Sequence, residues 1–397
     1  MSREQLVNDG SLSNIRVLDL TRVWAGPLAT RIMGDFGAEI IKISDPRVPL
    51  LTPNGLNNKL NRNKKNIGIR LDIESGREVF LDLVSKSDVV IENFRPRVMR
   101  NLKLDFGELK KSNPNIVMVS MPGFGLTGPY AEYPAYGTTA EALAGIPSLI
   151  GYSDQVPIAT GIAYGDPVSG LNAVTLILAA LRKREKFGGG QFIEIALSAS
   201  PLCNIGEYIG SYSSTGIMPR LDANKHDRFC PHGAFKCKGD DNWVAISVTD
   251  DKKWNSLYNI VQDSRIKHLY DSTIEERKQN ENLIVKVIEE WTSDKDAPEI
   301  ASYLQDEGIP AGTVSSSQQL LEDPHLNERG FFFDTASKQH DEKRFDGQSI
   351  PGNSLPKSSW IPASDVGEDS QIILNEILGY TKETCNKLRK ELAVHFG

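Results

Sequence analysis

The sequence predicts an α/β protein: a large domain built on a parallel sheet, then a smaller α+β domain. Three observations carry this expectation. Short apolar strands alternate with amphipathic helices as far as Ser120. A long apolar helix from Leu171 to Leu181 then leads through three glycines into another strand. From about Arg228 the pattern changes to a hairpin followed by several helices.

Residues 15–20 alternate as a strand should, and Trp24-Ala25-Gly26-Pro27 turns the chain. Pro27 opens a helix to Phe36, Gly37 ends it, and residues 38–43 form a second strand, completing a βαβ unit. A strand over 67–71, a helix over 75–84 and a strand over 88–93 give another, and 116–120 adds one more strand. Such alternation implies a Rossmann-like sheet with helices on both faces. Residues 192–197 read as a strand, and a helix follows from Ser198 to Tyr212. Serine, glycine and proline over 213–219 mark a linker. Strands over 233–238 and 243–248 flank Gly239-Asp240-Asp241-Asn242 as a hairpin. Helices are expected over 252–261, 274–291, 297–307 and 320–327, with a loop through Gly308-Ile309-Pro310-Ala311-Gly312. A last helical segment, 370–391, returns to the large domain. The expected boundaries are 1–212 for the large domain, 213–227 for the linker, 228–330 for the small domain and 331–397 for the return.

Hydrophobic residues at 39% and charged residues at 24% fit an ordinary soluble protein. A net charge of −7 argues against a nucleic-acid partner. Cys203, Cys230, Cys237 and Cys385 show no paired framework, which points to a reducing cytoplasm. The polar start is no signal peptide, and no apolar run approaches the roughly 20 residues of a membrane span. Gly123-x-Gly125-x-x-Gly128 is not a dinucleotide site, because Pro129 and Pro134 prevent the helix that such a motif must open. Cys230, His232 and Cys237 lack a fourth ligand for structural zinc. Neither a GxSxG elbow nor a spacing for a Ser-His-Asp triad is present.

The chemistry concentrates at Asp166. Pro167 suits the first position of a helix, Asp is a favoured N-cap, and Ser169 falls at the third helical position. The helix beyond is apolar on every side apart from Asn172 and Thr175, as a buried helix is. Arg182, Lys183 and Arg184 suit its negative end, and Gly188-Gly189-Gly190 stop it. A carboxylate at such a tip is held in place, beside N–H groups that can bind an anion or a developing oxyanion. A bare Asp-Pro pair also describes a simple helix cap.

Gly165-Asp166-x-x-x-Gly170, the apolar helix, Ala179-Ala180-Leu181, the basic cluster, Gly188-x-Gly190-Gln191 and the strand resemble, in that order, the family III CoA-transferases. The resemblance runs from about Ile15 to about Leu378. That family includes formyl-CoA, carnitine-CoA and benzylsuccinate-CoA transferases, with 2-methylacyl-CoA racemases as relatives. It implies that Asp166 is the nucleophile. It also implies that the basic stretch from Lys59 to Asn66, otherwise a phosphate clamp or a solvated loop, contacts CoA through Lys65. Asn93, Phe94 and Arg95 match a CoA-contacting Asn-Phe-x-Pro, and Trp24 and Ala25 match another contact, Trp24 offering a flat face to adenine. A basic residue expected at Asn101 stands one place earlier, as Arg100. The resemblance further implies that the segment over 133–145, with Ala135, approaches the thioester. Racemases carry a His-Asp pair where this chain has Tyr136 and Gly137, and a phenol replaces that imidazole poorly near neutral pH. Acyl transfer is therefore expected rather than racemisation. Glu141 is either a surface helix residue or polar support for Asp166.

The mobile tetraglycine loop of formyl-CoA transferase is missing, which disfavours formate and oxalate. Ala135-Tyr136-Gly137 and Tyr164-x-Asp166-Pro167 resemble relatives that use succinyl-CoA. The expectation is CoA transfer from an acyl-CoA, such as a dicarboxyl-CoA, to a free carboxylic acid. No permanent cofactor or metal is implied, and an interlocked homodimer is. A branched acyl-CoA racemase, a non-catalytic CoA-binding protein and a nicotinamide-dependent oxidoreductase are the alternatives.

Overall fold

The computed structural model describes residues 10–48, 54–152, 156–219, 221, 223–334, 344–347 and 361–397. The polar amino terminus and much of the return over 331–397 lie outside the described residues. The chain forms two units: Met1–Leu149, Ile158–Pro219 and Gly330–Gly397 make one, and Ile150–Pro157 with Arg220–Arg329 the other. The small unit thus includes a segment that the sequence assigns to the large domain, where Gly151 bridges Pro157.

The large unit begins with β1 (Arg16–Asp19), α1 (Ala25–Asp35), β2 (Glu39–Ser44), α2 (Asn54–Asn61), β3 (Lys64–Ile69), α3 (Glu74–Ser85) and β4 (Val89–Glu92). It continues through α4 (Arg97–Asn101), α5 (Phe106–Ser112), β5 (Val117–Ser120), α6 (Gly137–Leu143), α7 (Gly165–Phe187), β6 (Gln191–Glu194), α8 (Ala199–Leu202) and α9 (Gly206–Thr215). The strands lie in the order β3-β2-β1-β4-β5-β6, all parallel. Every residue of β4 and β5 is buried, as a sheet covered on both faces requires. Alternation splits the core: Leu18, Ile41, Ile67 and Phe80 pack on one face, and Val17, Ile40, Ala173 and Ile177 on the other. The chain runs outward from β1 in one direction and from β4 in the other, so the strand order reverses between them. Ligands of open α/β sheets bind beyond the strand ends at such a reversal.

The small unit pairs β7 (His232–Lys236) with β8 (Trp243–Ser247) antiparallel, and β9 (Ala311–Thr313) joins β8. The expected loop through Ala311 is therefore a third strand. Helices α10 (Asp251–Val261), α11 (Ile274–Gln279), α12 (Glu281–Thr292) and α13 (Ala297–Asp306) pack around Trp254, Leu257, Ile284 and Val287. The single helix expected over 274–291 is divided at Asn280. Then come α14 (Ser317–Glu322) and α15 (Pro324–Glu328). The chain returns through β10 (Phe332–Asp334), β11 (Arg344–Asp346), α16 (Ser370–Ile372), α17 (Lys382–Lys390) and β12 (Val394–His395), which adds antiparallel to β3. Gly379, at φ 69°, breaks the helix expected over 370–391.

Three differences from expectation bear on function. The basic stretch is no loop: Lys59 lies in α2 and Lys64 and Lys65 open β3. Each cation there has a carboxylate, Lys59 with Asp346 at 3.4 Å, Arg62 with Asp35 at 2.7 Å, Lys64 with Asp19 at 2.9 Å and Lys65 with Glu39 at 2.7 Å. Helix α7 begins one residue before Asp166, with Tyr164 at the cap position, and no side chain caps it. Finally, α7 is buried along one stripe only: Gly165, Asp166, Ser169, Gly170, Ala173, Ile177 and Ala180. That stripe meets α1, where a Cβ on Gly170 would stand 2.7 Å from the Ala25 carbonyl oxygen. Leu171, Leu176 and Leu178 on the remaining face are exposed in the single chain.

Candidate active site

Asp166, the second residue of α7, is 5% exposed. Its own N–H donates to the Ala163 carbonyl at 2.9 Å, and its carboxylate does not cap α7, which has no side-chain cap. That carboxylate instead takes a backbone hydrogen bond from Ala25, at the start of α1. Gly137, the first residue of α6, closes the other side: a Cβ there would stand 1.9 Å from Oδ2 of Asp166 and 2.8 Å from the Ala163 Cβ. Only glycine lets the α6 backbone approach this closely. Among the described residues no Lys, Arg or His forms an ion pair with Asp166. Burial, which the Ala25 hydrogen bond only partly offsets, pushes its carboxyl up to about 6, with like-charge repulsion from Glu141 adding to the rise.

Glu141 is 1% exposed, which excludes the surface-residue expectation. Its Oε1 accepts from the Thr160 N–H at 3.4 Å, while Oε2 has no partner. The hydroxyls of Thr160 and of Ser169, one turn along α7 from Asp166, are also buried and unpartnered. Unsatisfied buried polar atoms are uncommon. Three such atoms, Glu141 Oε2, Thr160 Oγ1 and Ser169 Oγ, belong to residues beside or bonded to the two carboxylates.

The loop between β1 and α1 leads into Ala25 and is held at its start. Asp19, wholly buried at the end of β1, accepts from the Thr21 N–H at 2.8 Å and from the hydroxyls of Thr21 at 2.5 Å and Thr30 at 2.7 Å. Lys42 at 3.3 Å and Lys64 at 2.9 Å donate to the same carboxylate. Lys64 also donates to the Pro27 carbonyl at 3.0 Å. Burial opposes the Asp19 charge, but the two lysines and two hydroxyls outweigh it and hold the carboxyl far below the usual range. Burial also pushes the Lys64 ammonium down to about 7, against the pull of Asp19. Val23 in this loop, at φ 67°, and Ala163, at φ 49°, hold left-handed conformations that a side chain disfavours, and such strain collects at functional sites.

Several expected site residues converge here: Asp166, Ala25, Gly137 and Glu141. Trp24 stands at the cap position of α1, and Ala25 is fully buried, offering backbone only. Both ends of the Asn93 amide hold the Arg22 backbone, Oδ1 accepting from its N–H at 2.8 Å and Nδ2 donating to its carbonyl at 2.7 Å. Asn93 therefore positions the β1–α1 loop. Phe94 lies under the Arg22 guanidinium at 5.5 Å. Its N–H donates at 2.7 Å to Glu92, whose carboxyl burial pushes up to about 7. Ala135 packs on Gly123, whose Cβ would approach it to 2.2 Å. Others are not brought in. Lys65 is directed to Glu39, near the start of β2, whereas the strand ends form the crevice. Arg95 is exposed; Arg100 is also exposed and lies 3.7 Å from Glu132. The Tyr136 ring is 64% exposed.

Sequence reasoning missed Asp19, Lys64 and Arg22. The signal was Asp19-x-Thr21 at a strand end, a pairing that favours a side-chain-bonded turn. Among the described residues no group of three or more His, Cys, Asp or Glu is placed to hold a metal, and no helix is long and apolar enough to cross a membrane.

The profile described as CoA-transferase family III matches residues 12–370. The succinyl-CoA:mesaconate CoA-transferase of Haloarcula hispanica is 30% identical over 372 residues, covering 89% of this chain and 92% of that one. The alpha subunit of the succinyl-CoA–L-malate CoA-transferase of Chloroflexus aurantiacus is 29% identical over 398 residues, covering 95% and 91%. A crystal structure of a CaiB/BaiF family protein from Brucella suis superposes with a TM-score of 0.82 at 25% identity, covering 93% of this chain and 99% of that one.

Proposed function

This chain belongs to CoA-transferase family III, and from that premise we propose that it moves CoA from an acyl-CoA thioester to a free carboxylic acid through Asp166. The observation that carries the reading is a buried carboxylate with no cationic partner among the described residues, raised to about 6 and facing a backbone donor. Such a group is ionised at neutral pH yet more basic, and so more nucleophilic, than an exposed aspartate.

In the proposed sequence Asp166 attacks the thioester carbonyl and the CoA thiolate leaves, giving a mixed anhydride. The thiolate then attacks the Asp166 carbonyl carbon, releasing the donor acid as its carboxylate and leaving an aspartyl-CoA thioester. The acceptor carboxylate attacks that thioester, expelling the thiolate and forming a second anhydride. Attack by the thiolate on the acceptor carbonyl gives the new acyl-CoA and restores Asp166. Each addition places charge on an oxygen. The N–H groups at the start of α1, with the close Gly137 backbone, are the donors proposed to stabilise it, an effect typically worth about 3–4 kcal/mol per donor.

The named relatives support succinyl-CoA or another dicarboxyl-CoA as donor. Exposed Leu171, Leu176 and Leu178 on α7 and Tyr208, Ile209 and Tyr212 on α9 support a homodimer that covers them. Four unpaired thiols support a reducing cytoplasm.

A panel of acyl-CoA donors against free acids, read by mass, tests the proposal. Acid-dependent appearance of a new acyl-CoA is expected. Deuterium entering the α-carbon of one chiral acyl-CoA in deuterated water, with no second acid, would instead identify a racemase.

A further inference from the structure

Arg22 follows β1, and Asn93 follows β4, the two strands between which the sheet order reverses. The Asn93 side chain holds the Arg22 backbone at both its N–H and its carbonyl. The guanidinium lies 5.5 Å from the centre of the Phe94 ring and is half-buried. Among the described residues no carboxylate stands within ion-pair distance of it. Asp45 acts on it only at longer range, and Asp45 is itself held by Arg47 at 2.7 Å. Lys42 is close enough for the two cations to repel, and the Lys42 ammonium is occupied by Asp19 and the Thr21 carbonyl. Burial favours the neutral guanidine, and only the distant Asp45 and the Phe94 ring favour the charge on Arg22. A half-desolvated cation with a cationic neighbour, fixed at both backbone and side chain, is the arrangement an anion-binding site needs.

We propose that Arg22 is a ligand for a phosphate of the CoA nucleotide. The Phe94 ring and the Asn93 clamp hold Arg22 at the ends of β1 and β4, and two N–H groups of its planar fork would meet two phosphate oxygens. This inference rests on the CoA-transfer reading.

The test compares CoA and 3′-dephospho-CoA binding to the full chain and to Arg22→Gln, by calorimetry. The expected result is a Kd for CoA raised about 30-fold, with unchanged circular dichroism. An equal loss for both ligands assigns Arg22 to the pyrophosphate; a loss for CoA alone assigns it to the 3′-phosphate. Transfer from an acyl-pantetheine, which lacks the nucleotide, should proceed equally in both proteins. A variant that binds CoA like the parent, or that loses the pantetheine reaction as well, overturns the assignment. Should Arg22→Gln fail to fold, Arg22→Lys decides: weakened CoA binding supports the phosphate role and parental affinity overturns it. A parent chain that binds no CoA overturns the transfer reading and this inference together.

Discussion

Asp19, at the end of β1, and Asp166, at the start of α7, are both buried aspartates that bond the β1–α1 connection, one at Thr21 and one at Ala25, yet their surroundings are opposite. Asp19 has two lysines, two hydroxyls and a backbone N–H, and its charge is held firmly. Asp166 has a single backbone hydrogen bond among the causes that set its charge, with a second carboxylate beside it. Placing cations on one aspartate and withholding them from the other fits a structural role for the first and the nucleophilic role proposed for the second. The basicity that suits Asp166 to attack an acyl carbon comes from the same poor solvation that makes it a burden on the fold.

The comparison breaks most clearly at Asp166 itself. Asp166→Asn should lower transfer by roughly a thousandfold or more, measured as initial rate with saturating donor. The same variant should be more stable than the parent above pH 6. The folded-state value is near 6 and the ordinary value 3.8, so between them the folded chain holds a proton that the unfolded chain has lost. Stability therefore falls as pH rises through that window, by about 3 kcal/mol, and the asparagine variant escapes the loss. Denaturant melts at pH 4 and pH 8 measure it.

Asp19→Asn should do the reverse. Leaving Lys42 and Lys64 buried without their anion costs about 3–5 kcal/mol of folding stability. Because the Asp19 value is depressed in the folded chain, its stabilising effect is complete above the ordinary carboxylate range and fades as pH falls below it. A neutral-pH melt no lower than that of the parent would show that the lysines do not depend on this charge.

Gly137→Ala sharpens the contrast without altering charge. Its Cβ would fall 1.9 Å from Oδ2, so the carboxylate or the α6 backbone must move. A shift near 1 Å is expected to lower kcat by about a hundredfold, with KM much less affected. The smallest effect belongs to Glu141→Gln. Removing the like charge should move the acid limb of the pH–rate profile, expected near 6, downward by less than about one unit.

The sequence showed some of this arrangement and hid the rest for identifiable reasons. A carboxylate at the tip of an apolar helix is visible from Asp166-Pro167 and the run to Leu181. Whether that carboxylate caps the helix depends on a shift of two residues, which local pattern does not fix. The Asp19 cluster is invisible locally because Lys42 and Lys64 lie 23 and 45 residues along the chain. Reading the basic stretch as a loop concealed a strand whose period of two sends Lys64 inward to Asp19 and Lys65 to Glu39. The contact that makes Gly137 obligatory is with a residue 29 positions later and leaves no trace in its neighbours. The apolar exterior of α7 suggested a buried helix; one face of it is covered within the single chain.

The most direct measurement follows oxygen. The acceptor acid, carrying ¹⁸O in its carboxylate, is turned over once per enzyme with a stoichiometric acyl-CoA donor, and the peptides of the protein are then weighed. If Asp166 forms an anhydride with the acceptor, the bridging oxygen stays on the enzyme, and the peptide containing Asp166 gains one ¹⁸O. Turnover that leaves this peptide at natural mass, or that labels a different carboxylate, would contradict the account.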